Sequence, residues 1–430
     1  MLSVFLSYAI HATTVYNSTM TTFQHAAAQT LPYTDAPPLA GLRVLDLSRV
    51  LAGPFCSMIL GDLGAEVIKV EKPGVGDDTR AWGPPFWHHL SAYFLSCNRN
   101  KYSLTLNLAV PTGREIFFRL LERADVLLDN FLPASLERLG LNREKIFHVN
   151  PRIIWCSITG YGKTGPLANT PGYDFALQAM GGLMSITGPP EGPPYKVGVA
   201  ITDVVGGLYA AIAILACLHA RKSSDHGYTI DVSLLDCVVA AQVNVAQAYL
   251  VTGQVPPRQG NAHLQIVPYQ LFNTADGYLV LAVGNDEQWQ RFCRACGRTD
   301  LAEDPRFRTN PDRVRHRQEL LAELEPLLRS RTTSQWQQLL SAAEVPHSPV
   351  LDYEQLFRHP QAQARGLKVT VHDPSGRPVD LLNCPWRIEG AALPPFRFPP
   401  DLGQDTEHVL KTWLGCDDQL LHQWRRDGAI

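Results

Sequence analysis

The chain carries little net charge and few charges of any kind: 38 Lys and Arg stand against 41 Asp and Glu in 430 residues, a formal net charge of -3, with charged residues at 18%. A sequence without a basic field has nothing to attract a polyanion, so nucleic acid is excluded as a partner. Long apolar runs are also missing. The longest, VVGGLYAAIAILACL over 204–218, is shorter than the roughly 20 residues that cross a bilayer and holds two adjacent glycines, so it reads as a core helix and no membrane partner is expected. No complete metal set exists. Cys293 and Cys296 form one CxxC without a second pair or a nearby His, and the other cysteines, Cys56, Cys97, Cys156, Cys217, Cys237, Cys384 and Cys416, are scattered in a chain too large to need disulfide staples, which reads as reduced, buried thiols. The turn after the first strand, Ser48-Arg49-Val50-Leu51-Ala52-Gly53-Pro54, lacks the GxGxxG spacing of a dinucleotide cradle, which disfavours NAD and FAD. Lys and Arg are absent before Arg43, so residues 1–39 read as a leader or disordered tail that fits neither a secretory signal nor an arginine-bearing mitochondrial presequence. Internal repeats and low-complexity tracts are absent.

What is present is enough apolar sequence, 45%, for two or three compact units at roughly 150 residues each. From Gly41 strands and helices alternate: strands at 42–47, 65–70, 102–106, 124–128 and 152–158, with helices at 55–63, 112–123 and 135–139 between them. Pro54 suits the first turn of the first helix and Gly64 its end. This alternation predicts an α/β fold with a doubly wound parallel sheet in a large domain over 40–230, whose ligands bind beyond the carboxyl ends of the strands. A strand at 228–231 and a helix at 233–250 lead into the linker Val255-Pro256-Pro257-Arg258-Gln259-Gly260, so 231–260 reads as a connection. A smaller α+β domain follows over 261–350, with a strand at 278–282 and helices at 288–296 and 318–328. Its Arg306, Arg308, Arg313, Arg315 and Arg317 read as a solvated face in preference to an anion site. Beyond Gly366 come a strand at 369–372, a turn at 373–376 and a final helix at 406–414.

Two acids stand out. Asp203, in Gly198-Val199-Ala200-Ile201-Thr202-Asp203, is the only charge between Lys196 and His219. It opens the apolar helix beside the positive end of its dipole, a position that keeps a carboxylate ionised and suits a nucleophile. The alternative is that Thr202 or Asp203 caps the helix. Asp174, in Gly172-Tyr173-Asp174, follows the glycine-rich strand end Gly160-Tyr161-Gly162-Lys163-Thr164-Gly165-Pro166, either as a second site acid or as the cap of the helix FALQAMGGLM. Lys69, Lys72, Arg80, Arg99, Lys101 and Arg138 fall in the same sheet layer, an arrangement that suits a phosphorylated ligand met by side chains. Gly260-Asn261-Ala262-His263 offers backbone amides and an imidazole on a loop.

The ordered set GLRVLDLSRVLAGPF, LGDLGAEVIKVEKPGVGDDTR, NRNK, DVLLDNF, SLERLG, SITGYGKTGP, PGYD and GVAITDVVGGLYA resembles the class III coenzyme A transferases, from about Pro38 to the C-terminus. That resemblance implies Asp203 as nucleophile, acylated by an acyl-CoA and then converted to an aspartyl-CoA thioester, with Asp174 at the position of an assisting acid. It implies coenzyme A contacts at Val50, Leu51, Ala52, Lys72, Leu106, Asn130, Phe131 and Arg138, and a closing loop at Gly260, Asn261 and His263. Arg49, Lys163 and His263 are candidates for a distal carboxylate. Similarity in SITGYG, GLMSITGP and IVPYQLF implies succinyl-CoA as donor and glutarate or another dicarboxylate as acceptor, and the missing multiple-glycine run argues against formate or oxalate. No cofactor is bound permanently, because the coenzyme A thioester is a substrate. An interlocked homodimer, a return of 351–430 to the large domain and a mitochondrial location are further implications.

Two other readings are compatible with these residues. A 2-methylacyl-CoA racemase of the same fold carries a His-Asp pair where this chain has Tyr173-Asp174, and a phenol is a poor base near neutral pH. A non-catalytic coenzyme A-binding protein would have no need of the Asp203 carboxylate.

Overall fold

A computed structural model describes residues 36–430; of the leader read over 1–39, residues 1–35 lie outside the described residues. Six parallel strands form the main sheet: β1 (Arg43–Asp46), β2 (Glu66–Glu71), β3 (Lys101–Thr105), β4 (Val126–Asp129), β5 (Ile154–Thr159) and β6 (Tyr228–Ser233). Their spatial order is β3-β2-β1-β4-β5-β6. Valine, isoleucine and leucine dominate the centres of β1, β2 and β4, and every residue of β4 and β5 is buried, as expected of strands covered on both faces. Alternation along each strand sends Val44, Val67 and Val126 into one core and Leu45, Ile68 and Leu127 into the other. The chain reverses its winding between β1 and β4, which lie side by side, and the crevice at their carboxyl ends is where such sheets bind ligands.

Helices cover both faces. On one face α1 (Ala52–Asp62) packs beside α4 (Ile201–Ala220), with α3 (Asp174–Met180) and α5 (Leu234–Ala240) alongside. The other face carries α2 (Pro111–Leu121) and two helices from the far end of the chain, α9 (Thr406–Leu414) and α10 (Asp418–Arg426), whose Trp413 and Trp424 enter the same core as Leu45 and Ile68. The sequence reading ended at the first of these two. The αL residue Gly415 closes α9 and a second amphipathic helix, capped by Asp417, follows at once.

Three further sequence readings are corrected. The helix expected over 233–250 is two helices, α5 and α6 (Val243–Thr252), bent by 81°. Val243 sits at φ 34 there, and the Gln242 amide bonds the carbonyls of Gly181 and Val238; the apolar pattern runs through the break and hides it. The helix bearing the longest apolar run is itself long and apolar enough to cross a membrane; one face packs along α1, α5, β5 and β6 through Gly206, Gly207, Ala210 and Ile214, while Leu208, Tyr209 and Ile212 on the other are exposed, so it is only in part a core helix. The arginine run of the smaller unit is not a uniformly solvated face. Arg313 is fully buried, donating to the carbonyls of Val267 and Phe307 and to Asp286, and Arg317 donates to the carbonyls of His263 and Leu264. That unit has its own three-stranded antiparallel sheet, β7 (Tyr269–Asn273), β8 (Tyr278–Ala282) and β9 (His347–Pro349). Trp289, Phe292, Leu324 and Trp336 fill its core beside α7 (Asp286–Cys296) and α8 (Arg317–Arg329).

Candidate active site

The crevice between β1 and β4 holds a cavity of about 300 Å³. Its walls are the loop after β1 (Arg49, Val50, Leu51 and Ala52), the loop after β4 (Asn130, Phe131 and Leu132), Thr159 and Gly160 at the end of β5, the turn Pro171-Gly172-Tyr173, and Asp203. Of these lining residues Arg49 and Asp203 bear the charges. Both glycines that follow Asp203 are required by this arrangement. A Cβ on Gly207 would lie 2.6 Å from the Ala52 carbonyl, and one on Gly206 would lie 2.2 Å from a Leu234 methyl, so the start of α4 reaches Ala52 beside the loop after β1, and Leu234 of α5, only because these side chains are absent.

That loop is held in a form the sequence gives no hint of. Val50 has φ 71, an uncommon conformation for a β-branched residue. Its N–H donates to the Asp77 carboxylate at 3.2 Å, while Asn130 brackets Arg49, accepting its N–H at 3.0 Å and donating to its carbonyl at 2.8 Å. Asp77 is in turn bonded to the fully buried Lys69 at 2.8 Å. Burial raises the Asp77 carboxyl, but the Lys69 ammonium and the hydrogen bonds from Lys69 and Thr79 outweigh it and hold the group at about 2.

Asp203 lies in the first turn of α4, and neither it nor Thr202 caps the helix. The N-cap residue is Ala200, no side chain of its own segment closes the turn, and the buried Thr202 hydroxyl has no partner among the described residues. Asp174 does not cap its own helix either. It is the first residue of α3, and its Oδ1 accepts the Thr202 N–H at 2.8 Å, which makes it a cap for α4 supplied from another element. The expectation that the helix start keeps Asp203 fully ionised is also corrected. Burial, and then the neighbouring Asp174, raise its pKa to about 7, because loss of hydration and a like charge together outweigh a dipole worth about 1 kcal/mol.

The sequence-named residues divide. Arg49, Val50, Leu51, Ala52, Asn130, Phe131 and Asp203 share the cavity. Lys72 is exposed, and Arg138 donates to the hydroxyl of Ser135, which lines the cavity. Leu106 is buried in the hydrophobic core, away from the cavity wall. Gly260 and His263 line a different cavity of about 220 Å³, with Gly260 tied to the Gly188 carbonyl and His263 packed on Tyr269; Asn261 lies between them in the same loop. Lys163 sits over the Trp155 ring. The basic cluster is largely spoken for: Lys69 pairs with Asp77, Lys101 with Asp46, Arg80 with Glu71 and Arg99 with Asp62. These cations hold the sheet edge together and are not free for phosphate, which is a fact of pairing that spacing cannot reveal.

Two residues near the site escaped the sequence reading. Burial and then the charge of Asp203 push the Tyr93 phenol well above its usual range, which puts Tyr93 within the electrostatic reach of that carboxylate. Gln178 contacts Asp174 from four residues on, a spacing at which helical Gln and Asp side chains meet. Among the described residues no group of three or more His, Cys, Asp or Glu is arranged to hold a metal ion.

The chain is similar to known proteins over most of its length. The model of CoA-transferase family III matches residues 39–406. The succinyl-CoA:glutarate CoA-transferase of Mus musculus is 43% identical over 393 residues, which cover 91% of this chain and 90% of that protein. An acetyl-CoA:oxalate CoA-transferase of Acetobacter aceti is 41% identical, with 79% of this chain and 88% of the relative covered. In structure, a CAIB/BAIF family protein from Brucella suis superposes with a TM-score of 0.78 at 42% identity, over 88% of this chain and all of that one.

Proposed function

The chain belongs to CoA-transferase family III, and from that premise we propose that it transfers coenzyme A from succinyl-CoA to glutarate or another dicarboxylate through covalent chemistry at Asp203. The observation that carries the proposal is the position of this carboxylate, on the wall of the cavity at the switch point and opposite the loop after β1. The Asp203 carboxylate attacks the thioester carbonyl and expels coenzyme A as thiolate, leaving a mixed anhydride. The thiolate attacks the aspartyl carbonyl of that anhydride, forming an aspartyl-CoA thioester and releasing succinate. The acceptor carboxylate attacks this thioester, expelling the thiolate again and giving a second mixed anhydride. Attack of the thiolate on the acceptor's carbonyl yields the new acyl-CoA and regenerates Asp203. No net proton is exchanged, and a carboxylate with its pKa near 7 is a stronger nucleophile than an ordinary one. Backbone amides at the start of α4 and in the loop after β1 are suited to stabilise the oxyanions.

Val50, Leu51, Ala52, Asn130 and Phe131 form the surface on which the pantetheine arm lies in this reading, and Arg49 meets the distal carboxylate. Oxalate belongs in the substrate panel because one relative bears its name. The racemase reading is disfavoured by Tyr173, an exposed phenol on the cavity wall. The homodimer is proposed on a separate observation. Leu208, Tyr209 and Ile212 on α4, Val239 on α5, and Val243, Leu250 and Val251 on α6 are all exposed, a density of apolar surface that marks an interface. A mitochondrial location is proposed on family resemblance alone and is tested by cell fractionation.

Incubating the purified protein with succinyl-CoA and hydroxylamine is expected to place a hydroxamate on Asp203, read by peptide mass spectrometry. Asp203→Asn is expected to show neither the label nor transfer. Transfer by that variant at the unmodified rate overturns the mechanism, and equal turnover of acetyl-CoA and succinyl-CoA overturns the substrate assignment.

A further inference from the structure

The N–H of Thr202, one residue before Asp203, is bonded by Asp174 Oδ1 at 2.8 Å. What holds Asp174 in that pose is Gln178, one turn further along α3. Its side chain is fully buried and both ends of its amide are engaged. Nε2 donates to Asp174 Oδ2 at 2.8 Å and approaches the Val199 carbonyl at 3.4 Å, while Oε1 accepts the Val197 N–H at 2.9 Å. Only one orientation of the amide satisfies all three groups, since the carboxylate and the carbonyl need a donor and the N–H needs an acceptor. The backbone it grips is irregular from Thr187 to Ala200 and includes Gly198, beside which a Cβ would meet nothing within 4 Å. Asp203 therefore follows a segment with little packing at Gly198, fastened at Val197 and Thr202.

We infer that Gln178 is a positioning residue for the reaction: its buried amide fastens the segment 197–199 to α3 and aims Asp174 at the Thr202 N–H, so that the first turn of α4 presents Asp203 to the thioester carbonyl. The inference rests on the reading of Asp203 as nucleophile. Attack needs the reacting atoms near van der Waals contact, and a displacement of about 1 Å costs on the order of a hundredfold in rate. The titratable groups facing Asp203 are Asp174 from α3 and Tyr93, with Arg49 on the same cavity wall.

The test uses the full-length protein with Gln178→Leu, which keeps the volume and removes both polar ends, and Gln178→Glu, which keeps the acceptor for Val197 and sets a carboxyl against Asp174. For Gln178→Leu the single-turnover rate of Asp203 acylation by succinyl-CoA is expected to fall roughly ten- to a hundredfold, with KM for succinyl-CoA within about twofold of the parent, since no coenzyme A contact is touched. For Gln178→Glu the acid limb of the kcat/KM profile is expected to move up by roughly one pH unit, because a further negative charge disfavours ionisation of its neighbours. Where Gln178→Leu does not fold, the near-isosteric Gln178→Glu decides. Variants that melt like the parent, acylate Asp203 at the parent rate and keep its pH limb overturn the inference while Asp203→Asn remains inactive. An active Asp203→Asn instead removes the nucleophile on which the inference stands.

Discussion

At the scale of single residues, Asp203 shows how a helix start and a cavity wall pull a carboxylate in opposite directions. The dipole favours the charged form, burial and Asp174 favour the neutral one, and the latter prevail with a pKa near 7. Reaction through the ionised form then predicts that kcat/KM rises with pH up to about 7 and levels off above it. Asp174→Asn removes the like charge while keeping an acceptor for the Thr202 N–H, so its acid limb is expected at lower pH than the parent's; a limb that stays put contradicts the assignment of Asp174 as a cause. A stability effect follows with a definite sign. A pKa raised from 3.8 favours folding most below the unfolded value, and that contribution is lost as pH rises through 7. Asp203→Asn, which lacks the charge, is therefore expected to gain melting temperature over the parent at pH 8, on the order of 2 °C or more, and not at pH 4. The sequence exposes Asp203 as an isolated acid at a helix start. It does not expose Asp174 as the cap of a different helix, because that bond joins residues 28 apart in the chain.

Among the elements, α4 and the loop after β1 are positioned by opposite devices. The helix comes close to Ala52 because Gly207 has no side chain. Gly207→Val is expected to cost about 1–3 kcal/mol by overpacking and to lower kcat more than the same change at the exposed Gly284, whose φ is not positive, as read by thermal melting and steady-state assay. The loop is held by charge. Asp77 bonds both the strained Val50 N–H and the buried Lys69 ammonium, so Asp77→Ala, which leaves that ammonium without its closest partner, is expected to destabilise by about 3–5 kcal/mol in urea titration. The strands, α1 and the strand-helix alternation were legible because a buried parallel sheet requires apolar runs of a fixed length between turns. The break between α5 and α6 was not, since both halves carry similar apolar side chains although only α5 buries them, and the bend depends on a single residue and the Gln242 amide.

For the whole molecule, the placement of the cavity follows from topology: the winding reverses between β1 and β4, and the two loops that leave their carboxyl ends part to open a crevice. The exposed apolar side chains of α4, α5 and α6 predict a dimer by light scattering, and a double change of Ile212→Glu and Leu250→Glu is expected to reduce the measured mass to that of one chain. A parent protein of one chain's mass contradicts the interface.

The amino-acid sequence alone determined the α/β class, the succession of strands and helices along the chain, the isolation of Asp203 and the membership of a transferase family, since each is written in local apolar periodicity or in ordered short motifs. Tertiary structure decided which cations are free, which acid caps which helix, and where Asp203 titrates. Those depend on groups brought together from distant parts of the chain, on the water excluded between them, and on pairings such as Lys69 with Asp77 that no local pattern records.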